Sequence, residues 1–315
     1  LNPFPLVQHY ETHAGPDGSI EDGEGDVLEA LLGAMAAETE PLTDFQRQTL
    51  SRVMHGLWAE HGPAMTIDQI AHALIAEDDQ RACDIGIQLF AFTSHGSFGR
   101  FFAGANTMRL DNRLVVLELE HLKQRKHLQR VVLLQLIYQI QQAMFLGDRS
   151  RRKIVIIDEA WDLLTSGEVG KFIETGYRRF RKYNGAAIVI TQSLADLHGN
   201  PVGEAIAANS AITFQLAQKA ATLDALSKTG KLPQGLALER LKSVHTAPGR
   251  YAELCLMSNR GSGLARLVVS PFLQLLYSTQ ADDVAAIARL RRQGLGLVEA
   301  IELLVQHRSG GREAA

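Results

Sequence analysis

The sequence predicts an α/β fold in which a mainly parallel sheet is flanked by helices and carries an inserted all-α lobe. Short apolar strand-like segments alternate with long helical patterns, in the order 112–119, 121–146, 153–157, 168–183 and 186–190. Such alternation is typical of a parallel sheet that is covered on both faces. Residues 26–92, in contrast, show only the spacing of apolar residues that is characteristic of helices.

The all-α lobe is predicted from four successive helical patterns. They cover residues 26–38, 42–61, 66–76 and 78–90. Thr43 and Thr66 precede two of these patterns, and a threonine hydroxyl in that place can accept a hydrogen bond from a free amide of the first helical turn. Gly62 and Pro63 predict a break between two helices. Before the lobe, the glycine-rich and acidic residues 13–25 predict a surface loop.

The later part of the chain shows less helix between its strand-like segments, which lie at 211–216, 250–257 and 264–269. We therefore expect an antiparallel distal edge. Two more helices are predicted at 280–292 and 297–306, and a disordered tail at 309–315. The predicted organisation is the start of the core with its acidic loop (1–25), the inserted lobe (26–92), the remaining core (93–279), and the C-terminal helices with the tail (280–315).

The composition argues against several classes of protein. The chain has 315 residues, of which 46% are hydrophobic and 21% charged, and no stretch approaches the roughly 18 apolar residues that span a bilayer. Cys83 and Cys255 lie far apart without the spacing of metal ligands, so we predict free thiols in a reducing compartment. The net charge of -3 gives no general attraction to phosphate backbones. Nucleic-acid binding would therefore require local basic clusters.

Asp158 and Glu159 are the strongest chemical signal, because they follow the apolar strand segment 153–157. Ligands bind at the carboxyl ends of strands in open α/β sheets. In P-loop enzymes one carboxylate holds hydrated Mg²⁺ beside the phosphates of ATP, and a second orients or deprotonates the attacking water. Asp158 suits the first role and Glu159 the second. The alternative is an acidic pair that only ends a strand in solvent.

Thr191, Gln192 and Ser193 follow the next strand segment, 186–190. Gln192 is therefore a candidate to sense the γ-phosphate of ATP or to orient water, and Thr191 is a candidate nucleotide contact. The competing interpretation is that Thr191 or Ser193 caps the helix that follows.

Arginines are concentrated at the end of the predicted helix 168–183, where the sequence reads YRRFRKYNG. Arg178 or Arg181 could act as an arginine finger, which neutralises the charge on a phosphoryl group in a neighbouring subunit. Cations at this place also stabilise the carboxyl end of a helix through its dipole, so a structural role is an equal alternative.

The phosphate-binding loop GxxxxGK[ST] does not occur in these 315 residues. Lys171 and Lys231 each follow a glycine, but neither is followed by serine or threonine. The glycines of HGSFGRFFAG predict tight turns and close packing, with a weak role at the edge of a nucleotide site as the alternative. The histidines show neither the spacing of a metal site nor that of a catalytic triad.

The segments KIVIIDEAWDLL (153–164), YRRFRKYNGAAIVITQSLADL (177–197) and ARLVVSPFLQLLYST (265–279) resemble the TraC-type ATPases of conjugative type IV secretion systems. GSFGRFFAG and the region around 114–140 are similar to that family as well, so the resemblance extends over nearly the whole chain. It implies a RecA-like P-loop core with a helical insertion. It also implies that the phosphate loop, or Walker A motif, lies upstream of Leu1, so that the fragment alone is inactive.

By the same resemblance, Asp158 and Glu159 correspond to the Walker B pair, Gln192 to the sensor glutamine, and Arg181 with Lys182 to an RK pair. The family resemblance further implies a ring, expected to be hexameric, at the cytoplasmic face of the inner membrane. The implied partners are other secretion ATPases or a coupling protein, and inner-membrane channel subunits. The implied function is pilus assembly and substrate transfer, with a DNA contact only weakly supported.

Two alternatives to the secretion motor stay open from the sequence. The first is a DNA translocase or coupling protein of the FtsK/HerA kind, which would share the Walker B and sensor residues. The second is a catalytically inactive docking module that only helps to assemble a complex. An intact phosphate loop would favour a motor, and hydrolysis stimulated by DNA would favour the translocase.

Overall fold

A computed structural model of the chain describes residues 1–11, 13–14, 20–21, 23–108, 110, 112–145, 147–159 and 167–310. The chain divides into two compact units, Leu1–Ile190 and Thr191–Ala315. The boundary between them lies inside the segment 93–279 that the sequence suggests as one core region. Residue 12, residues 15–19 and 22 of the predicted acidic loop, residues 160–164 of the KIVIIDEAWDLL motif, and residues 311–315 of the predicted tail lie outside the described residues.

The first unit is mainly helical. Its helices are α1 (Gly25–Ala36), α2 (Asp44–His61), α3 (Ile67–Ile75), α4 (Gln80–Leu89), α5 (Gly99–Phe102), α6 (Lys126–Phe145) and α7 (Gly167–Arg179). Short 3-10 turns lie at Phe4–Leu6, Gly62–Ala64, Phe90–Phe92, Glu120–Leu122 and Phe180–Tyr183. The four helices predicted for the lobe are therefore confirmed, and their bounds differ from the predicted ones by two residues or fewer.

The two predicted threonine caps of the lobe are confirmed. The amide of Gln46 donates to the hydroxyl of Thr43, and the Gln46 side chain accepts from the Thr43 amide in return. Thr66 and Gln69 make the same reciprocal pair at the start of α3. Each pair satisfies two amides that the helix itself leaves without a partner, which fixes where the helix begins.

The helical lobe is held together by a core of apolar side chains that its helices share with α6. Fully buried members include Leu28, Leu32 and Met35 of α1, Leu50 and Met54 of α2, Ile70 and Leu74 of α3, Ile85 and Leu89 of α4, and Leu128 and Val131 of α6. Each such side chain contributes about 1.5–3 kcal/mol through burial. The ring nitrogen Nε2 of His127 lies 2.8 Å from the carbonyl oxygen of Ala34, which joins α6 to the end of α1.

Two strands that pair in parallel form the part of the first unit that carries the candidate carboxylates. Strands β1 (His13–Ala14) and β2 (Ile20–Glu21) form a separate short antiparallel pair. Strand β3 (Lys153–Ile157) lies beside β4 (Gly185–Val189), with Lys153 opposite Gly185 and Ile157 opposite Val189. The amide of Ile190 donates to the carbonyl of Ile157 at 2.9 Å. The parallel pairing that the sequence predicts for these two strands is thus confirmed.

The strand predicted at 112–119 is wrong. These residues are described and form no strand, and the side chains of Leu114 and Val116 are 80% and 78% exposed. An alternating apolar segment becomes a strand only where a neighbour completes its backbone hydrogen bonds and covers its side chains. None of the described strands pairs with this segment.

One face of the β3–β4 pair is open to solvent. Ile154 and Ile156 are 63% and 61% exposed, and Ile188 lies opposite Ile156 on the same face. Parallel strands are normally covered on both faces, as the uninterrupted apolar sequence of β3 predicts. In the described residues, the predicted coverage is therefore found on one side of these strands only.

The second unit combines a small antiparallel sheet with short helices. Its strands are β5 (Ile212–Gln215), β6 (Thr246–Ala247), β7 (Tyr251–Ser258) and β8 (Gly261–Leu267), and β7 pairs with the other three. Its helices are α8 (Leu194–His198), α9 (Pro201–Asn209), α10 (Ala220–Lys228), α11 (Leu236–Ser243), α12 (Pro271–Leu276), α13 (Ala281–Arg292) and α14 (Leu297–Gly310). The three late strands are antiparallel as predicted, but they form a sheet of their own.

Both cysteines are free, as the sequence predicts. Cys255 is buried in the second unit, and this burial raises the pKa of its thiol. Among the helices that the structure describes, none combines the length and the apolar character needed to cross a bilayer.

Candidate functional site

The acidic pair is positioned by the end of β3. Strand β3 alternates between partly buried and exposed residues, and Asp158 and Glu159 follow its last residue, Ile157, on the exposed side of the described structure. Because β3 and β4 are parallel, their carboxyl ends meet at one edge. This is the edge at which ligands bind in open α/β folds.

Glu159 has a backbone conformation that is unusual for a residue with a side chain. Its φ angle is 49°, in the left-handed region, and Asn184 is the other described non-glycine residue with a positive φ. The amide of Glu159 donates to the Oδ1 atom of Asp158 at 2.9 Å, which turns the Asp158 carboxylate back over the chain. Left-handed residues other than glycine cost about 1–2 kcal/mol, and such strain is concentrated at functional sites.

Strand β4 is fixed from its other side by helix α7. The amide of Val189 donates to the hydroxyl of Tyr177 at 3.0 Å. Since the neighbouring amide of Ile190 points to β3, this tyrosine satisfies an amide that faces away from the strand pair. Tyr177 thus holds β4 in place at the edge where Asp158 follows β3, a role that the sequence did not reveal.

Thr191, Gln192 and Ser193 begin the second unit. The hydroxyl of Thr191 donates to the carbonyl of Ser193 at 3.2 Å, and the side chain of Gln192 is exposed. Ser193 makes a reciprocal cap with Asp196 at the start of α8. The capping interpretation is therefore confirmed for Ser193.

Gln218 is a further residue of this region that the sequence did not single out. Its Oε1 atom accepts from the amide of Leu194 at 3.3 Å, and its Nε2 atom donates to the carbonyl of Gln192 at 3.5 Å. Both contacts reach the backbone on either side of Ser193. Gln218 therefore holds the backbone of residues 192–194 in place. No sequence motif would have indicated this contact.

Arg178 and Arg181 lie at the opposite edge of the strand pair from Asp158. Arg178 is in the last turn of α7, where its guanidinium is 2.7 Å from the carboxylate of Glu174. Arg181 is exposed in the 3-10 turn Phe180–Tyr183, directly before β4. A five-residue strand such as β3 is roughly 16 Å long. An action of Arg181 on a nucleotide beside Asp158 would therefore have to occur in a neighbouring subunit.

The glycine-rich loop after Phe92 is explained by packing. A Cβ atom on Gly96 would lie 2.1 Å from the carbonyl oxygen of Phe90, and one on Gly99 would lie 2.1 Å from that of Thr93. Both distances are impossible for a side chain. Close packing, which the sequence predicts for these glycines, is thus sufficient to explain why glycine occupies both positions.

Whether this region can bind a metal ion depends on a small number of oxygen ligands. The described residues contain no group of three or more His, Cys, Asp or Glu side chains arranged to hold a metal. Mg²⁺ does not need such a group, since it keeps several water ligands and is usually bound by one or two carboxylates together with phosphate oxygens. The exposed carboxylate of Asp158 fits this requirement.

The left-handed conformation of Glu159 leads to a prediction about stability. We expect Glu159→Gly to be more stable than Glu159→Ala by about 1 kcal/mol, because glycine adopts a positive φ without a Cβ clash and alanine does not. The two variants lose the same side-chain contacts, so their difference isolates the backbone. Urea unfolding measures it, and equal stabilities would mean that Glu159 is not left-handed in solution.

Comparisons with known proteins agree with this architecture. The family described as the TraG P-loop domain matches residues 70–308. Protein TraC of Escherichia coli strain K12 is 28% identical over 306 residues, which cover 90% of this chain and 35% of TraC. This chain thus spans about a third of the length of that relative.

A solved structure shows the same fold. VirB4 of Thermoanaerobacter pseudethanolicus superposes with a TM-score of 0.64 at 18% identity, covering 86% of this chain and 74% of the VirB4 chain. The predicted RecA-like P-loop fold and the TraC-type resemblance are both confirmed. With a family match over more than half of its residues, the chain belongs to the TraG P-loop domain family.

Proposed function

We propose that this chain is the ATPase part of a conjugative type IV secretion motor, which couples ATP hydrolysis to pilus assembly and to the transfer of substrate or DNA. The observation that carries the proposal is the acidic pair Asp158 and Glu159 at the carboxyl end of a parallel strand, in a member of a P-loop family. A strained residue within this pair adds support, because strain of this kind is retained where function requires it.

Asp158 is assigned to the metal. Its carboxylate would hold Mg²⁺ through water, and the ion would neutralise charge on the β- and γ-phosphates of ATP. The hydrogen bond from the amide of Glu159 orients one carboxylate oxygen and leaves the other available for a metal-bound water. The side chain is exposed, so this site could be reached by a nucleotide with its hydration shell.

Glu159 is assigned as the residue that accepts the proton of the attacking water. Because its backbone is left-handed, the side chain of Glu159 points in a different direction from that of a residue that continues the strand. The two adjacent carboxylates can therefore serve separate roles. Gln192 is assigned to orienting water or sensing the γ-phosphate, and Thr191 to contacting the nucleotide. The hydrogen bond from Gln218 to the carbonyl of Gln192 helps to hold the backbone at Gln192 in place.

The phosphates of ATP need a cradle of backbone amides and a lysine, and the motif that supplies them is missing from these 315 residues. We propose that a Walker A loop outside these residues provides it. In the working motor we also propose a hexameric ring at the cytoplasmic face of the inner membrane, in contact with other secretion ATPases or a coupling protein and with inner-membrane channel subunits.

A DNA translocase or coupling protein of the FtsK/HerA kind is the alternative motor, and an inactive docking module is the alternative of a different class. All three would share the fold described above. A motor requires Asp158 and Glu159 to act on bound nucleotide, whereas a docking module does not. Stimulation of hydrolysis by DNA would separate the translocase from the secretion motor.

The first prediction concerns the 315-residue chain by itself. We expect it to bind ATP weakly and to hydrolyse it negligibly, because Asp158 can contact only the metal ion while the phosphates have no amide cradle. Titration calorimetry with Mg²⁺ and ATP measures this. Tight binding, or turnover that disappears in Asp158→Ala, would show that these residues contain a phosphate site of their own.

In the protein that also carries a phosphate loop, Glu159→Gln should keep nucleotide binding and lose turnover by about 100-fold or more. The amide has the size of the carboxylate but cannot accept the proton of the water. Asp158→Ala is the matched comparison and should weaken the binding of Mg²⁺ and ATP instead. Turnover near the wild-type rate in Glu159→Gln would assign the general base to another residue.

Arg181→Ala should leave the subunit folded and able to bind ATP, and should lower the turnover of the assembled ring by about a thousandfold or more, as is typical for a lost arginine finger. Arg178→Ala is the matched control, since Arg178 already pairs with Glu174. The measurement is steady-state hydrolysis with protein in excess of the concentration needed for assembly.

Mixed rings test whether Arg181 acts between subunits. Arg181→Ala and Glu159→Gln subunits are each expected to be inactive, but a mixed ring has some interfaces with both groups intact, so activity should partly return. If mixed rings form without activity, and mixtures with Arg178→Ala or Arg179→Ala recover instead, the finger is the arginine whose mixture recovers and not Arg181. If Arg181→Ala mainly lowers the stability of the single subunit, its role is that of a helix-end cation.

A further inference from the structure

The segment that carries Gln192 is held by two kinds of hydrogen bond. The first kind is local. The hydroxyl of Thr191 donates to the carbonyl of Ser193 at 3.2 Å, and the amide of Ser193 donates to the carboxylate of Asp196 at 3.0 Å. These bonds join residues that are only two or three positions apart, so they fix the shape of the segment. They do not fix where the segment lies relative to the sheet of the second unit.

Gln218 supplies the second kind, which joins residues far apart in sequence. Its side chain bonds to the backbone at Gln192 and Leu194, which are 26 and 24 positions away. Gln218 follows the end of β5, whose last residue, Gln215, is buried and lies opposite the buried Cys255 of β7. The side chain of Gln218 therefore ties the segment to a strand that is itself held by the sheet.

The hydrogen bonds of Gln218 use both halves of its amide group. The Oε1 atom accepts from the amide of Leu194 at 3.3 Å. The Nε2 atom donates to the carbonyl of Gln192 at 3.5 Å and to that of Ala217 at 3.3 Å. An amide nitrogen carries two hydrogens, so each of them has a carbonyl as its partner. A carboxylate of the same size could accept from Leu194 but could donate to neither carbonyl.

The two halves of the amide have different consequences. Leu194 is the first residue of α8, and its amide is one of those that a helix leaves without an internal partner. Accepting from this amide is a capping contact, which stabilises the start of the helix. The bond to the carbonyl of Gln192 is not part of the helix, because Gln192 precedes the cap residue Ser193. This second bond holds the backbone of Gln192 itself.

We propose that Gln218 is a positioning residue for Gln192. By tying the Gln192 carbonyl to the loop that follows β5, it keeps the Gln192 side chain at one place relative to the γ-phosphate or the attacking water. The inference rests on the proposed function, in which Gln192 has that role. A displacement of about 1 Å at such a residue can lower turnover roughly a hundredfold, whereas one hydrogen bond adds little to stability. Gln218 therefore matters for hydrolysis much more than for folding.

The first measurement is steady-state ATP hydrolysis by the protein that also carries a phosphate loop. Gln218→Glu is the main variant, because it keeps the acceptor for the amide of Leu194 and loses both donors. We expect kcat to fall about tenfold or more and KM for ATP to change by less than about threefold, since ATP still binds while Gln192 is displaced. A role limited to capping α8 would leave kcat unchanged in this variant.

Gln218→Met is a second variant, of similar length and without added charge. It loses the acceptor as well as the donors, so we expect the same fall in kcat together with a lower thermal stability than that of Gln218→Glu. Thermal unfolding of both variants shows whether either loses its fold. If Gln218→Glu does not fold, the neutral variant carries the test of kcat.

The matched control is Gln274→Glu, which makes the same change of charge in the same unit. The Nε2 atom of Gln274 donates to the carbonyl of Val269 at 2.8 Å, so the control also removes a bond from a side-chain amide to a backbone carbonyl. We expect its kcat to stay within about twofold of the wild-type value.

The second measurement needs no nucleotide. Hydrogen exchange of the amides of residues 191–197 is followed by mass spectrometry in the 315-residue chain. Gln218→Glu and Gln218→Met should each raise the exchange rate of this segment about tenfold, because the segment is no longer tied to β5. Gln274→Glu should leave the rate unchanged.

Four results would overturn the inference. Unchanged kcat in both Gln218 variants, beside a wild-type protein that hydrolyses ATP, would show that Gln192 does not depend on Gln218 and would leave the proposed function standing. Unchanged hydrogen exchange in both variants would show that Gln218 does not hold the segment. An equal fall of kcat in Gln274→Glu would indicate a general effect of charge. A wild-type protein without turnover would contradict the proposed function, and the inference with it.

Discussion

The parallel pairing of β3 and β4 is the constraint on which the arrangement of the candidate site residues in the first unit depends. Parallel strands place both carboxyl ends at one edge and both amino ends at the other. In this chain the residues that follow β3 are acidic and the residues that precede both strands are basic. One set of backbone hydrogen bonds therefore separates Asp158 and Glu159 from the arginines that precede β3 and β4 by the length of a strand.

This separation has a consequence for any catalytic role of the arginines. A cation placed at the amino ends of the strands cannot neutralise charge at the carboxyl ends of the same strands. Within an assembly, however, opposite edges of neighbouring subunits can meet. The arginines that precede β3 and β4 could therefore act at the carboxyl edge of a neighbouring copy but not at that of their own strands.

A strained backbone and hydrogen bonds that stabilise the neighbouring residues both occur close to the acidic pair. Glu159 has a left-handed backbone, and the amide it carries is used to orient Asp158. Tyr177 fixes the neighbouring strand by accepting from the amide of Val189. A residue keeps an unfavourable backbone conformation only where the surrounding contacts hold it in place. These hydrogen bonds are part of that support.

Local signals in the sequence determined much of this protein. The helices of the lobe, their threonine caps, the strands β3 and β4, and the acidic pair after β3 could all be predicted, because each depends on residues close together in the chain. The absence of a strand at 112–119 could not be predicted, since a β-strand depends on a neighbouring strand that the segment itself does not specify. Its alternating pattern alone was therefore misleading.

The tertiary structure decided what the local patterns left open. Gln135 and Gln139 are among the buried residues of α6, because packing and not residue type selects the buried face. Gln218 and Tyr177 became relevant only through contacts with distant backbone atoms. The arginines at 149–152 and those at 178–181 are about thirty residues apart in sequence, and only the parallel register, which brings the amino ends of two strands together, places both groups at one edge.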